Sequence, residues 1–168
     1  MNKIQIIVNN GAGTGSAVAV WKETKEYLQE NGISYNAYLT RYEKHAVKLA
    51  GQICGKIPEG PIYLLVVGGD GTINEVLNGI TDFDRVRLGV IPTGSGNDFA
   101  RNLGILRDTR EDLREITACI DQEQNGEKLQ RIDLGKVSWE GCEKPRIFGI
   151  SAGAGLDAIV CKKALHSK

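Results

Sequence analysis

The sequence predicts an α/β protein: a parallel sheet with helices on its faces over the first 120 residues, then the start of a β-rich region. Three observations predict it. Short apolar runs alternate with segments of helical spacing, and the loops between them are a few residues long. Ile62 to Val67 is apolar without interruption, the pattern of a strand buried on both faces. From near Gln130 the helical spacing stops and two strand-like runs follow each other.

In order, Ile4 to Val8 reads as the first strand and runs into a glycine loop, "NNGAGTGS". Ala17 to Gln29 carries Val18, Val20, Trp21, Tyr27 and Leu28 among mixed charges and is stopped by Gly32, which predicts a helix. Trp21 and Tyr27 belong to its core or helix face. Ile33 to Leu39 is a second strand, and Tyr42 to Ile53 a second helix with Val47, Leu49, Ala50 and Ile53 at helical spacing. After a turn at Pro58 to Pro61 come the buried strand and a helix over Thr72 to Asn78, ended by Gly79. Arg87 to Ile91 is a strand stopped by Pro92, followed by helices over Phe99 to Leu103 and Asp108 to Asp121. Leu129 to Trp139 and Arg146 to Ser151 read as strands joined by the turn "EGCEKP"; with no helix between them they should be antiparallel.

Composition narrows the function classes. Hydrophobic residues make up 41%, enough for a packed core, and 21 glycines without a fixed period fit a protein of many tight turns. The 21 Lys+Arg balance the 21 Asp+Glu, so net charge offers no reason to expect nucleic acid. Cys54, Cys119, Cys142 and Cys161 form no CxxC pair and stand far from His45 and His166, which argues against zinc and for buried thiols in a reducing cytosol. The apolar run at the N-terminus is too short for a signal peptide or a membrane span.

The chemistry concentrates in two loops. "VVGGDGTINEVLNGI" sets Asp70 between Gly69 and Gly71 at the exit of the buried strand, and "LGVIPTGSGNDFARNLGI" repeats the arrangement after the next strand. Ligands of open parallel sheets bind beyond the carboxyl ends of the strands. Glycines there permit positive φ or close approach of a ligand to the main chain, and the following helix N-terminus faces an anion such as phosphate. An aspartate in such a loop either caps its helix, with the glycines merely allowing a sharp turn, or holds Mg²⁺ or takes a proton from an attacking hydroxyl. Ser95 or Asn97 could likewise cap the helix after the second loop. Two such loops after two strands read as the two lips of one crevice. His45 reads as a helix-face residue rather than a catalytic one.

These two loops together resemble the catalytic domain of diacylglycerol kinases, in the superfamily shared with sphingosine kinases, bacterial lipid kinases and NAD kinases. "IIVNNGAG", "YLTRYEKHAVKLA", "RIDLGKV" and "GISAGAGLDAIV" fall in the order of that family's further segments. The resemblance implies a Rossmann-like three-layer nucleotide-binding domain over 1–128 and, over 129–168, the beginning of a β-sandwich lipid-kinase domain that is truncated here. It implies that Gly68, Gly69, Asp70, Gly71, Thr72, Asn74 and Glu75 bind ATP, with Asn9, Thr40, Gly94, Ser95 and Asn97. Asp70, Asp98 and Asp133 would meet Mg²⁺ directly or through water, and Asp70 is the catalytic candidate. Two departures are visible: Asn10 stands where the family has proline, and Ser95 where it has threonine. The family's general base, a glutamate of the second domain, would lie beyond Lys168, so this chain by itself would be inactive.

The implied activity is ATP-dependent phosphorylation of the hydroxyl of diacylglycerol or a similar lipid alcohol, in phospholipid biosynthesis. The implied enzyme is cytoplasmic, peripherally membrane-associated and able to form a homodimer. The alternatives are an NAD kinase-like nucleotide kinase, which shares GGDGT, and a nucleotide-binding regulator without activity. "GAGLDA", Gly153 to Ala158, matches a dinucleotide-binding GxGxxA, but it comes after five or more strands rather than in a first βαβ unit.

Overall fold

The structure is a computed structural model that describes residues 3–9, 11, 16–105, 108–127 and 129–165. Asn10, most of the first glycine loop (12–15) and His166 lie outside the described residues. The chain runs β1 (Ile4–Val8), α1 (Ser16–Glu30), β2 (Tyr35–Leu39), α2 (His45–Lys56), β3 (Ile62–Gly68), α3 (Asp70–Gly79), β4 (Val86–Pro92), α4 (Asp98–Asn102), α5 (Thr109–Gln124), β5 (Gly135–Val137), β6 (Arg146–Phe148) and α6 (Leu156–Leu165).

Four parallel strands form one sheet in the order β2-β1-β3-β4. Side chains alternate across a strand, and the sheet sorts its apolar residues accordingly. Ile7, Leu64, Val66 and Val90 face one way and pack under α2, α3 and α4, against Leu49, Ile53, Ile73, Val76, Leu77 and Phe99. Ile6, Val8, Leu65, Val67 and Ile91 face the other way, under α1 and α5, against Trp21, Leu28, Leu113 and Ile120. The three-layer arrangement is therefore that expected, with a helix layer on each face of the sheet. All seven residues of β3 are buried, as its uninterrupted apolar run required.

Several elements differ from expectation. Helix α2 starts at His45 rather than Tyr42, because Lys44 before it takes a left-handed conformation, φ 64°. Helix α3 starts at Asp70 rather than Thr72, with Gly69 as its cap residue. The two late strands are much shorter than read: only Gly135–Val137 and Arg146–Phe148 pair, antiparallel as expected. Helix α6 was not anticipated; Leu156 to Cys161 is apolar nearly throughout, so no amphipathic period marked it.

The small β5–β6 sheet is fastened to the first unit through α3. The Asn78 side chain bonds the backbone of Ile147 on both sides, donating to its carbonyl at 2.8 Å and accepting from its N–H at 2.9 Å. Gly149 lies so close to Phe99 that a Cβ there would meet the ring at 2.6 Å. Leu134 and Ile147 pack against the α2–α3–α4 side of the core.

Candidate functional site

The strand order places a reversal between β1 and β3: the chain leaves β1 toward β2 on one side, and β3 and β4 lie on the other. In open α/β sheets the crevice at the carboxyl ends of such a pair is where ligands enter. Here it is occupied by the predicted loops. Hydrogen bonds from Asn9 N–H to the Val67 carbonyl (2.9 Å), Thr40 N–H to Val8 (2.9 Å) and Thr93 N–H to Gly68 (3.1 Å) carry the strand ladders one step further, so all the loops leave at one level. Asn9 then donates from its side chain to the Thr72 hydroxyl at 2.9 Å, tying the exit of β1 to the first turn of α3.

The glycines are there for closeness, not for turning. Among the described residues, none of Gly68, Gly69, Gly71, Gly94 and Gly96 has positive φ. A Cβ on Gly68 would meet the Thr72 side chain at 2.8 Å; one on Gly69 would meet the Gly94 Cα at 3.0 Å, and one on Gly94 the Gly69 Cα at 2.9 Å. The two lips thus touch through bare backbone. Gly71 differs: a Cβ there meets nothing within 4 Å. No protein atom needs that position bare. The left-handed residue of the second loop is Asn97, φ 54°.

Asp70 does not cap its own helix; α3 has no side-chain cap hydrogen bond. Its carboxylate reaches across to the second lip, where Oδ2 accepts from Asp98 N–H and Oδ1 from Phe99 N–H, both at 3.0 Å. It therefore caps α4 from outside, supplying the acceptors that a helix start lacks. The α4 cap residue, Asn97, makes no capping bond because its amide is used within the loop: it accepts from Gly94 N–H at 2.9 Å and donates to the Gly94 carbonyl at 2.7 Å. Ser95 is exposed at the tip of this loop.

Of the three aspartates expected at a metal, Asp70 and Asp98 come together: a Cβ on Gly96 would lie 3.1 Å from the Asp70 carboxylate and 3.8 Å from that of Asp98. Asp98 is also paired with Arg101 at 2.9 Å. Asp133 is exposed just before β5. Among the described residues no three of His, Cys, Asp and Glu are grouped to hold a metal ion.

Beside the lips opens a cleft of about 350 Å³, lined by Asn9, Gly11, Thr40, Arg41, Tyr42, Glu43 and Glu75. Three of the predicted residues, Asn9, Thr40 and Glu75, thus share one wall system. Asn74 stands on another side of α3, where its carbonyl accepts from Asn78 at 2.8 Å, in line with the β6 contact. Sequence reasoning placed Thr93 in the second glycine loop without giving it a role of its own; its hydroxyl is buried without a hydrogen-bond partner. It did not single out Tyr42, whose ring stacks on His45 with centroids 4.3 Å apart; only the folded neighbourhood marks that residue.

Residues 3–137 match the diacylglycerol kinase catalytic domain family. The chain is similar to the Bacillus subtilis (strain 168) protein named "Putative lipid kinase YtlR", 33% identical over 163 residues, 95% of this chain and 50% of that protein. It is also similar to a diacylglycerol kinase of the same organism, 41% identical over 99 residues, 56% of this chain and 30% of the relative. A crystal structure of a diacylglycerol kinase from Bacillus anthracis str. Sterne superposes with a TM-score of 0.58 at 28% identity, over 69% of this chain and 39% of the other. The chain spans about half the length of the first of these relatives.

Proposed function

This chain belongs to the diacylglycerol kinase catalytic domain family, and from that premise we propose that it binds ATP in the crevice between the two glycine lips and serves transfer of the γ-phosphoryl group to the hydroxyl of a lipid alcohol, diacylglycerol first. The observation that carries the reading is the Asp70 bridge between the two lips, which keeps two runs of bare backbone facing one space.

The residues present suit the nucleotide. The first-turn amides of α3 have no intrahelical acceptors, and no side chain caps them. They suit the phosphates, with the open face of Gly71 letting an oxygen approach. The adjoining cleft has Thr40, Asn9 and Tyr42 for the rest of the nucleotide. Mg²⁺ fits as well: it is commonly held by one or two carboxylates together with substrate phosphates and water, and Asp70 and Asp98 supply that many. Each Asp70 oxygen retains a lone pair beyond its backbone bond. When bound, the ion offsets phosphate charge. The chain's own residues position the phosphates, keep the lips closed and set the carboxylates beside them. In phosphoryl transfer, positioning and electrostatics supply most of the rate. In this reading Asp70 is chiefly a clamp that also bears charge at the reacting end.

Among the described residues no helix is long and apolar enough to cross a membrane. In this reading a lipid substrate requires the protein to visit the bilayer surface. The test is transfer of labelled phosphate from ATP to diacylglycerol in mixed vesicles by the full-length protein. Labelled phosphatidic acid supports the reading; label passed to NAD and never to any lipid alcohol replaces it with a nucleotide kinase.

A further inference from the structure

Glu75 lines the cleft, yet both its carboxylate oxygens are engaged with backbone. Oε1 accepts from Lys44 N–H at 3.0 Å and Oε2 from Ala46 N–H at 3.2 Å. Those amides belong to the start of α2, which has no acidic residue in its first turn and no side-chain cap of its own. Lys44 itself holds φ 64°, a conformation that a side-chain-bearing residue keeps only where neighbours hold it. The segment ahead of it, Thr40 to Glu43, is a wall of the cleft. Its near end is fixed by the bond of Thr40 to β1, and its middle by Arg41 N–H donating to His45 Nδ1 at 3.1 Å and by the Tyr42–His45 stack. Its far end is fixed by Glu75.

We infer that Glu75 is a positioning residue: a cap supplied to α2 from α3, which sets the 40–46 segment in place as a wall of the cleft and acts on nucleotide binding through that wall rather than by contact. This rests on the nucleotide reading for its functional half only. The device repeats what Asp70 does for α4. One helix thereby fixes the wall on one side and the second lip on the other with two carboxylates five residues apart.

The test uses Glu75→Gln and measures backbone amide exchange without ligand and MgATP affinity by calorimetry. Gln keeps one acceptor oxygen but loses the charge and the second bond. The expected result is exchange at Lys44 and Ala46 faster by about tenfold or more, unchanged exchange at Val76 and Leu77, and MgATP affinity weaker by about tenfold. Adding Lys44→Gly, which adopts positive φ freely, should restore part of both. That rescue keeps the inference testable should Glu75→Gln fold poorly by itself. Weakened affinity with unchanged exchange, or without rescue, would mean that Glu75 touches the nucleotide and would overturn the inference. Faster exchange with undiminished affinity would overturn it too, because the wall would then not matter. If the wild-type protein binds no MgATP while exchange rises as stated, the clamp stands and the nucleotide reading falls.

Discussion

Replacing Gly71 by alanine separates a ligand site from a turn. The new methyl meets nothing within 4 Å, so it costs no packing, and the residue lies in the first turn of α3 with no positive φ to lose. Alanine in a helix is favoured over glycine by as much as about 1 kcal/mol. Stability should therefore hold or rise slightly. The same methyl stands over the amides where a phosphate oxygen would sit. Displacing one charge-assisted hydrogen bond removes about 1.5–3 kcal/mol, which is about tenfold to a hundredfold in affinity. Calorimetric titration with MgATP, paired with urea unfolding of the same samples, reads both quantities. The reasoning fails if Gly71→Ala binds MgATP as tightly as the wild type. Gly69→Ala is the contrasting case: its Cβ would press on the Gly94 backbone at 3.0 Å, so both stability and binding should fall.

Asp70→Asn keeps one acceptor for the two amides of α4 and should reduce phosphoryl transfer by about 10²-fold or more, with faster exchange at Asp98 and Phe99; full turnover in the folded variant would contradict it. Asn78→Ala leaves both polar groups of Ile147 unpaired and should cost about 1–3 kcal/mol, read as looser β6 amides rather than a weaker sheet; unchanged β6 exchange would show that the latch is dispensable. Glu30 gives the pH dependence. Hydrogen bonding from Arg110 holds its carboxyl below the ordinary 4.5, against the opposing effect of desolvation. A depressed carboxyl stabilises above its unfolded value, and that stabilisation is lost as pH falls through the folded one. The urea midpoints of wild type and Glu30→Gln should differ near neutral pH and converge in acid below the folded value; a gap that widens in acid would reverse the sign.

The sheet was legible because burial imposes a period. Alternating apolar runs and helical stretches marked every strand and helix through Gln124, and the glycines at the ends of β3 and β4 marked where the loops of interest would be. What those residues do was not legible, because their partners are remote in sequence. Gly69 is small for the sake of Gly94, and Asp70 answers to Asp98 and Phe99. Glu75 answers to Lys44 and Ala46 across about thirty positions. A local reading assigns such carboxylates to their own helix or to a ligand; the fold uses them to cap neighbours. The late strands were read too long for a related reason. Apolar residues from Ile132 to Trp139 suggest a strand, but Ile132, Val137 and Trp139 are exposed and only three residues find a pairing partner. Helix α6 shows no period either, because its apolar residues from Ala158 to Cys161 run without interruption.

The central claim is that the two glycine lips, held together by Asp70, form one nucleotide crevice. The most direct measurement is a backbone amide NMR titration of the protein with MgATP. The account predicts that saturating nucleotide shifts the amides of Gly69 to Thr72 and of Gly94 to Asn97 together, along one binding curve, with Thr40 following them. Shifts confined to one lip, or found only at residues away from the carboxyl ends of β1, β3 and β4, would contradict it.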